Sequence, residues 1–565
     1  MILALNAYAH NAAAALYDGK HVLAAEQERF DGVRKSGAFP ADVIRHVLLP
    51  AAGAREIDLV AYPWKPRRFA TTYLKVFCND LPRSLELVHP RCSPHLNVRS
   101  GLNVLLRLRS DLRRALGGHL PRIRFVEHHL AHAANAFFSS DFDRALILVA
   151  DAFGDICSLS LFIGEGQRIR KVYENHFLDS LGILYSSVTK HLGFRTLYDE
   201  GKVMALAGYG DDSLVEEFGR IVRLLPDGQY RLDFSYLNFH HSGEWRPFSR
   251  KFEWIFGPPR ANGEPLTAMH YNLARALQRT VEETILHVIR AARSQHGIDR
   301  LCFAGGLALN CLLNGRIVRE AGLCAVFVPP APDDSGAVLG AAQAVLHVDL
   351  GRPRRPIHSA ALGPEYTTDR IRAALPVGRY AVFEPTDVAA KAAELIAGGC
   401  IVGWFQGRME FGPRALGQRS ILGDPRRADL HERLNRMKRR EAFRPFAPAV
   451  LAEHAGTLLR HVTRSPFMSF ATVVEPRLRA SIPGALHIDG TARFQTLECG
   501  DPSPIRRVVE AFHRATGVPC VVNTSLNCQS PIAASPDDAV ACLERSQLDA
   551  LFLGPYLVSR ERHPE

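Results

Sequence analysis

Two histidines spaced four residues apart are the first candidates for chemistry in this sequence. In the segment VEHHLAHAANAF, His128 and His132 would lie on one face of a helix, where both can bind one metal ion, while His129 would point elsewhere. Asp151 ends the apolar run ALILVAD, and a carboxylate at a strand end is well placed to face a cleft. No HExxH glutamate accompanies the pair, so a zinc protease is excluded, and histidines with carboxylates suit iron or a similar first-row metal. Taken alone, the pair could equally be hydrogen-bonded structural histidines.

Two further segments could contribute an acid or bind phosphate. VPPAPDDSGAVLGAAQA places Asp333 and Asp334 just before a helix, where either could be a fourth ligand or an ordinary N-cap. In RLCFAGGLALNCLLNG an apolar strand runs into Gly305 and Gly306 and then into a helix, and this order is typical of phosphate binding. A pair of glycines alone is weak support for a nucleotide site.

The densest basic stretch runs from Arg408 to Arg444 and is interleaved with Gly, Pro and Phe. Large apolar residues such as Phe411 and Phe446 are costly to expose together, which favours a basic pocket over a solvated face. A half-buried guanidinium needs an anionic partner, and a phosphate or carbamate oxygen pair fits it. The segment NTSLN, residues 523–527, adds short polar side chains that could bind acyl oxygens or phosphate, or form a simple polar loop.

These residues need a multidomain α/β scaffold to position them. The chain opens with a predicted hairpin, ILALNAY, AAAALYDGK and HVLAAEQERF, and a similar hairpin-led unit begins at Ala145, which suggests an internally duplicated α/β domain. The segment 347–364, which contains GRPRRP, is the best linker candidate. We therefore predict domains 1–355 and 356–565.

Composition narrows the classes of function. The 565 residues are 47% hydrophobic, carry a net charge of +11 and include eleven scattered cysteines without a CxxC pair. The absence of a signal-like start and of an apolar run of about 18 residues predicts a cytoplasmic protein with reduced thiols. The positive net charge could indicate binding to nucleic acid, anionic lipid or phosphorylated small substrates, but the sequence has no run of five or six consecutive Lys or Arg residues that would mark a nucleic-acid tail.

The sequence resembles the NodU/CmcH-type carbamoyltransferases, which include nodulation-factor, cephamycin and aminoglycoside O-carbamoyltransferases. The resemblance covers nearly the whole chain, and the order of GPRALGQRS and RPFAP is highly specific. The motifs that carry it are EQERF, HHLAHAANAF, DEGKVMALAGYG, GGLALNCLLNG, DDSGAVLGAA, GRMEFGPRALGQRSIL, KRREAFRPFAP and NTSLN.

The resemblance implies an α/β protein in two parts. The N-terminal part would be an actin-like ATPase domain, built from duplicated ribonuclease-H-like units, and the C-terminal part a YrdC-like α/β domain. The second would make carbamoyl-adenylate and pyrophosphate from carbamoyl phosphate and ATP, and the first would transfer the carbamoyl group to a hydroxyl of a small natural product or sugar. Implied cofactors are Fe²⁺ or a similar divalent metal, ATP and Mg²⁺. No nucleic-acid or membrane partner is implied, and the protein would be a monomer or homodimer.

The resemblance also assigns site residues by motif. The iron ligands would be His128, His132, Asp151 and Asp334. Adenylate contacts would be Lys35, Gly182, Lys202, Gly306 and Asn310. Carbamoyl phosphate and ATP contacts would be Arg414, Arg419, Lys438, Arg444, Arg493, Asn523 and Ser525. His10 would lie near the acceptor hydroxyl as a base.

The chain departs from the family pattern at three places. Ala152 replaces the usual glycine after the metal strand, Asn11 replaces the aspartate after His10, and NTSLNCQSPI ends differently from the usual motif, which predicts a looser end of that loop. No ligand is removed.

Three rival functions remain open at the level of sequence. They are a threonylcarbamoyl-type tRNA-modifying enzyme, a hydrogenase-maturation carbamoyltransferase and a non-catalytic nucleotide sensor. The acylphosphatase segment and zinc fingers of the second rival are missing, and GPRALGQRS favours a small-molecule acceptor over tRNA. An inserted stretch at about residues 214–265, which contains FHHSGEW, is predicted to line the acceptor pocket.

Overall fold

The computed structural model describes residues 1–68, 71, 77–78, 81–88, 98–242, 246–261, 263–462, 464–501 and 503–560; residues 243–245 of FHHSGEW lie outside this set. The chain divides into two compact units, residues 1–27 with 35–358 and residues 28–34 with 359–565. The predicted domains, 1–355 and 356–565, stay a prediction, and they place residues 28–34 with the first part. Within the described ranges, none of the helices combines the length and apolar character needed to span a bilayer.

Two five-stranded sheets form the framework of the first unit. Its strands are β1 (Ile2–Asn6), β2 (Ala13–Tyr17), β3 (Val22–Glu26), β4 (Leu59–Tyr62), β5 (Arg122–Phe125), β6 (Arg144–Gly154), β7 (Cys157–Glu165), β8 (Arg168–His176), β9 (Val222–Leu224), β10 (Tyr230–Leu232), β11 (Arg300–Ala304) and β12 (Ala325–Phe327). The first sheet has the order β3-β2-β1-β4-β5 and the second β8-β7-β6-β11-β12, while β9 and β10 form a separate ribbon.

The two sheets share one topology. In each, the first three strands form an antiparallel meander, and the next two strands extend the sheet in parallel from its first strand. This is the strand order of a ribonuclease-H-like unit, and it occurs twice in one chain. The predicted fold class, α/β with an internally duplicated N-terminal part, is confirmed by this repeat.

Helices surround these sheets and lie between them. Those from residue 28 to the end of the first unit are α1 (Glu28–Asp31), α2 (Ala41–Val43), α3 (Val98–Ala115), α4 (His128–Ser139), α5 (Leu181–His191), α6 (Glu200–Leu206), α7 (Val215–Gly219), α8 (Phe239–Ser242), α9 (Arg250–Phe256), α10 (Ala268–His296), α11 (Cys311–Glu320) and α12 (Asp334–Gln343). Only α1 belongs to the second unit.

The helices α4 and α12 form the centre of the first unit. Every residue of α12 is buried, as a helix with small and apolar residues on all sides requires. α12 packs on β1 and β2 of the first sheet, α4 packs on β6 and β11 of the second, and the two helices pack on each other. The core is therefore a stack in which this helix pair joins the two sheets.

Glycines make the contact between these two helices very close. A Cβ at Gly340 would overlap the carbonyl oxygen of Ala131 and lie 2.8 Å from the backbone nitrogen of Asn135, and a Cβ at Gly336 would overlap the Asn135 side chain. Asn135 Nδ2 donates to the Ala331 carbonyl oxygen at 2.8 Å, which ties α4 to the turn before α12. Only glycine at these positions allows the helices to approach this far.

The second unit is built on a nine-stranded sheet. Its strands are β13 (Ala381–Phe383), β14 (Val402–Phe405), β15 (Arg419–Gly423), β16 (Ala447–Leu451), β17 (Phe470–Val473), β18 (Thr491–Leu497), β19 (Cys520–Ser525), β20 (Ala550–Leu553) and β21 (Tyr556–Ser559), in the order β13-β21-β20-β14-β15-β19-β16-β18-β17. Its further helices are α13 (Thr368–Ala373), α14 (Val388–Ala397), α15 (Leu430–Met437), α16 (Ala452–Leu458), α17 (Pro504–Thr516) and α18 (Pro536–Arg545). Apolar clusters on both faces bury the central strands. The predicted α/β class holds for this unit too.

We expect Gly340→Ala to destabilise the protein by about 1–3 kcal/mol or more, because the new methyl group meets backbone atoms of α4 that cannot rotate away. Thermal or denaturant unfolding measures the loss. Gly219→Ala is the matched control: this glycine ends α7, a Cβ there meets nothing within 4 Å, and the change should be neutral or slightly stabilising. Equal stability of the two variants would contradict the close helix contact.

Candidate functional site

Four side chains from three elements converge on one point in the first unit. His128 and His132 come from α4, Asp151 from β6 and Asp334 from the first position of α12, and their ligand atoms all lie within 4.8 Å of one another. The two histidine Nε2 atoms are 3.1 Å apart. Asp151 Oδ2 lies 3.2 Å from His132 Nε2, and Asp334 Oδ1 lies 3.4 Å from His128 Nε2. The structure thus brings together the four residues proposed as metal ligands.

The residues before α4 fix the orientation of His128. Its Nδ1 lies 2.9 Å from the Pro63 carbonyl oxygen, so this nitrogen donates a hydrogen bond and Nε2 faces the cluster. Trp64 stacks on the imidazole with ring centroids 3.7 Å apart. The buried Asp155 carboxylate accepts hydrogen bonds from the backbone N–H groups of His128 and Lys65 and so satisfies a donor at the start of the helix. The ring is held by its neighbours before any ligand binds.

Asp151 lies at a bulge near the end of β6. Its Oδ1 accepts a hydrogen bond from the Ala152 backbone at 2.7 Å, which leaves Oδ2 directed at the histidines. Two glycines predicted to bind nucleotide pack against this turn: a Cβ at Gly306 would lie 3.1 Å from Asp151 Oδ1, and one at Gly182 would lie 2.6 Å from Ala152 Cα. Side chains at these glycines would therefore crowd the carboxylate.

The adjacent aspartates at the start of α12 have different environments. Asp333 is the N-cap, since its carboxylate accepts hydrogen bonds from the backbone and hydroxyl of Ser335 and from Asn11 Nδ2 at 3.0 Å. Asp334 instead faces the two histidines. Its Oδ2 also lies 3.7 Å from His10 Nε2, which places the proposed base beside the cluster. The N-cap interpretation of DDSG therefore applies to the first aspartate and leaves the second for the cluster.

Charge and burial set the ionisation of the cluster. Burial alone would lower the pKa of His128, but the carboxylates of Asp334 and Asp151 outweigh it and raise that pKa to about 10. His132 is raised in pKa by the same two carboxylates against the same desolvation. Burial opposes ionisation of both aspartates, yet the facing histidines lower each carboxyl pKa. His129 points away toward Ser160, as predicted, and burial lowers its pKa.

The donor set fits a divalent metal. Both imidazoles are fully buried, and the Oδ2 atoms of Asp151 and Asp334 are buried without a hydrogen bond from the described residues. Ligands about 2.1 Å from one ion lie roughly 3.0–3.4 Å from one another. The shorter separations in the cluster, 3.1, 3.2 and 3.4 Å, fall in this range. Two imidazole nitrogens with two carboxylate oxygens suit iron or a similar first-row ion. Binding would release the protons that the raised histidine pKa values retain.

The other residues predicted to contact adenylate have protein partners. Asn310 is the N-cap of α11, where Oδ1 accepts from the Leu313 backbone, and its amide exchanges two hydrogen bonds with Gln278. Lys202 Nζ lies 3.0 Å from an Asp199 carboxylate oxygen. Lys35 has a φ of +49° and directly follows segment 28–34. A nucleotide contact by these three residues stays a prediction.

Aromatic residues of the inserted stretch form a small core of their own. Phe248 and Phe252 stack with centroids 3.6 Å apart, and Phe218 and Phe256 pack on Phe252. All four rings are buried. These phenylalanines therefore fold the insertion rather than line a pocket, whereas Trp254 is 87% exposed.

Strand pairing in the second unit aligns several predicted anion contacts. Asn523 in β19 pairs with Ala447 in β16. In the parallel pair of β16 and β18, Ala449 lies opposite Gln495, and extending this register by two residues puts Arg493 beside Ala447. Asn523 Nδ2 donates to the Gln495 side chain and to the Ala415 carbonyl oxygen. The strand end that carries NTSLN is thereby attached to the loop 407–419, which contains Arg414.

Lys438 fixes the loop that follows β19. Its Nζ donates to the Ser525 carbonyl oxygen at 2.5 Å and to Asn527 Oδ1 at 2.8 Å. Burial, and secondarily the charge of Arg440, lower the pKa of this ammonium group. The unusual sequence at the end of this loop predicted a looser conformation. In the structure, however, Cys528 donates to the Met437 carbonyl oxygen and Gln529 donates to the Arg439 carbonyl oxygen, so the end of the loop is held.

The guanidinium of Arg419 is directed inward. It is fully buried, lies over the Phe405 ring at 3.7 Å and donates to the carbonyl oxygens of Gln406, Gly407 and Gln418. Burial lowers its pKa to about 10. These contacts hold the start of the loop 407–419, and a role for Arg419 in substrate binding stays a prediction.

Arg440 is a candidate anion contact that the sequence reasoning missed. Its Nε donates to Asn435 Oδ1 at 2.8 Å and its guanidinium lies over the Phe446 ring at 4.3 Å, which fixes the orientation of the fork. Burial and the charges of Arg444 and Arg493 lower the pKa of Arg440, so the three guanidinium groups lie within electrostatic reach of one another. Glu441, 3.9 Å from Arg444, is the neighbouring acid of this cluster among the described ion pairs. The run KRRE, residues 438–441, is the sequence feature that could have indicated Arg440.

We expect Asp334→Asn to lower metal occupancy at least tenfold, because a carboxylate ligand is lost while the shape is kept. Asp333→Asn is the matched control, since asparagine also caps helices and this side chain faces Ser335. Elemental analysis after purification, and titration of metal-free protein with Fe²⁺ or Mn²⁺, measure the difference. Equal metal content in both variants would exclude Asp334 as a ligand.

Comparisons with known proteins agree with these two units. The family model for the carbamoyltransferase N-terminus matches residues 1–343 and that for the carbamoyltransferase C-terminus matches residues 393–560. Nodulation protein NolNO of Sinorhizobium fredii is 37% identical over 98% of this chain and 80% of its own length. Uncharacterized protein sll1178 of Synechocystis is 35% identical over 100% of this chain and 97% of its own. The solved structure of HypF from T. kodakarensis covers 62% of this chain and 48% of that one at 12% identity, with a TM-score of 0.34 that is too low to support an argument. The chain belongs to the carbamoyltransferase family and is a carbamoyltransferase enzyme, as the sequence motifs predicted.

Proposed function

We propose that this carbamoyltransferase is an ATP-dependent O-carbamoyltransferase. It makes carbamoyl-adenylate from carbamoyl phosphate and ATP, then transfers the carbamoyl group to a hydroxyl of a small natural product or sugar. The observation that carries the proposal is the fixed guanidinium of Arg440, which Asn435 and Phe446 orient within electrostatic reach of Arg444 and Arg493. All three positive charges would attract a bound polyanion. Carbamoyl phosphate and the triphosphate of ATP are such anions.

The first half-reaction belongs to the second unit. Water releases inorganic phosphate from carbamoyl phosphate and leaves carbamate, whose oxygen attacks the α-phosphorus of ATP. The bond from that phosphorus to the bridging oxygen breaks, and pyrophosphate leaves. The arginine fork of Arg440 and the polar loop held by Lys438 bind and orient these anions and offset their charge. Arg414, Arg444, Arg493, Asn523 and Ser525 complete the proposed contacts.

The second half-reaction belongs to the first unit. The acceptor hydroxyl oxygen attacks the carbamoyl carbon, the bond to the adenylate oxygen breaks, and AMP leaves. His10, beside Asp334, takes the hydroxyl proton. His128, His132, Asp151 and Asp334 would hold the metal, which would supply positive charge to offset the negative charge developing on the leaving group. Gly182 and Gly306 pack against the turn of Asp151 and Ala152, and their backbone N–H groups are the proposed contacts to the nucleotide.

Product analysis tests the function. We expect the purified protein to form AMP and pyrophosphate from ATP and Mg²⁺ only when carbamoyl phosphate is present, because carbamate must be generated before it can attack ATP. Asp334→Asn should keep pyrophosphate formation and lose carbamoyl transfer, since its defect lies in the first unit. Equal turnover with bicarbonate and threonine in place of carbamoyl phosphate would favour the tRNA-modifying alternative and overturn the proposal.

We expect Arg440→Ala to reduce pyrophosphate formation by about 10- to 100-fold, because a charge-assisted contact with the anion is lost. The matched control is Arg436→Ala, which removes an exposed guanidinium of α15 that pairs with Glu432 on the surface. Steady-state pyrophosphate release gives both values. Unchanged activity of the Arg440 variant would remove this residue from the anion site.

A further inference from the structure

A short segment near the N-terminus belongs to the second unit. Residues 28–34 follow β3 and include α1, and both flanking segments, ending at Gln27 and starting at Lys35, belong to the first unit. The sequence motif EQERF ends within this segment. The chain therefore contributes a piece of its N-terminal part to the unit formed otherwise by residues 359–565.

Arg29 connects this segment to the loop 407–419, the first of the two loops that carry proposed substrate contacts. Its side chain is buried, although most arginines are exposed, and Nη2 donates to the Gly412 carbonyl oxygen at 2.6 Å. Gly412 lies in the loop 407–419, two positions before Arg414. A charged donor on a backbone carbonyl is among the stronger hydrogen bonds, so the position of this loop depends on Arg29.

Arg34, at the other end of the segment, contacts the loop 523–530, the second loop that carries proposed substrate contacts. Its Nη2 donates to the Ser530 carbonyl oxygen at 3.4 Å. The same oxygen accepts from Asn527 Nδ2 at 2.8 Å, and Asn527 is in turn held by Lys438. The loop 523–530 is therefore held firmly by the buried Lys438 and contacted more weakly, at an exposed point, by Arg34.

We propose that residues 28–34 form a strap that positions the loops 407–419 and 523–530, with Arg29 and Arg34 as positioning residues for carbamoyl phosphate and ATP. This inference rests on the proposed function only for the identity of the ligand. The strap joins two loops that are far apart in sequence through one short helix, so loss of either arginine removes one of the attachments of its own loop and leaves the attachments of the other loop unchanged. Its charge also adds to the anion site, since Arg34 is among the cations that act on Arg440.

Hydrogen exchange followed by mass spectrometry tests the strap without reference to activity. We expect Arg29→Ala to raise exchange in residues 407–419 and Arg34→Ala to raise it in residues 523–530, each largely sparing the other loop. Arg477→Ala, which removes an exposed arginine of the same unit, should change neither loop. General destabilisation would instead raise exchange across both loops and the central strands. Unchanged exchange in both loops would overturn the proposal.

Kinetics supply the second readout on the full chain. Arg29→Ala should raise KM for carbamoyl phosphate by about 10- to 100-fold with a smaller effect on kcat, and Arg29→Lys should recover part of the loss. Arg34→Ala should raise KM by about two- to fivefold, because its hydrogen bond is exposed and 3.4 Å long. A fall in kcat at unchanged KM would contradict a positioning role. If the wild-type protein forms no pyrophosphate, the proposed function fails, while the exchange pattern still decides whether the strap exists.

Discussion

The close contact between α4 and α12 is the constraint on which the first unit depends. Each helix packs on a different sheet, so the distance between the helices sets the distance between the two halves of the duplicated fold. Gly336 and Gly340 remove the side chains that would separate them, and the same approach brings Asp334 to the two histidines of α4. These two packing glycines therefore determine the geometry of the proposed metal cluster as well as the stability of the core.

The candidate sites of the two units suit ions of opposite charge. In the first, two carboxylates face two imidazoles, so the buried cluster balances its charge with protons when no ion is bound and with the ion when it is. In the second, the positive charges of Arg444, Arg493 and Arg34 act on Arg440, and the charge of Glu441 opposes them, so the local field attracts an anion. The first site is therefore suited to a cation and the second to an anion. The proposed reaction uses a metal ion and anionic substrates at different steps.

Local spacing made much of the first site predictable. The interval between His128 and His132 follows from helix periodicity, and Asp151 and the DDSG segment stand at element ends, so their convergence could be anticipated. The duplicated topology could be predicted from two hairpin-led units. Other features depend on contacts that sequence does not reveal: the inward guanidinium of Arg419, the amide pair that occupies Asn310, and the fork of Arg440 are decided by tertiary neighbours. The transfer of residues 28–34 to the second unit carries no compositional mark at all.

That transfer has a consequence for how the family can be recombined. A gene fusion that joins one member's first 358 residues to another member's remainder would pair a foreign strap with the loops 407–419 and 523–530, although the junction lies outside both loops in the sequence. A compatible chimera needs two additional crossovers so that residues 28–34 travel with the second unit. Because Arg29 and Arg34 donate to backbone carbonyl oxygens, such a chimera must preserve the conformation of the two loops rather than their exact sequence.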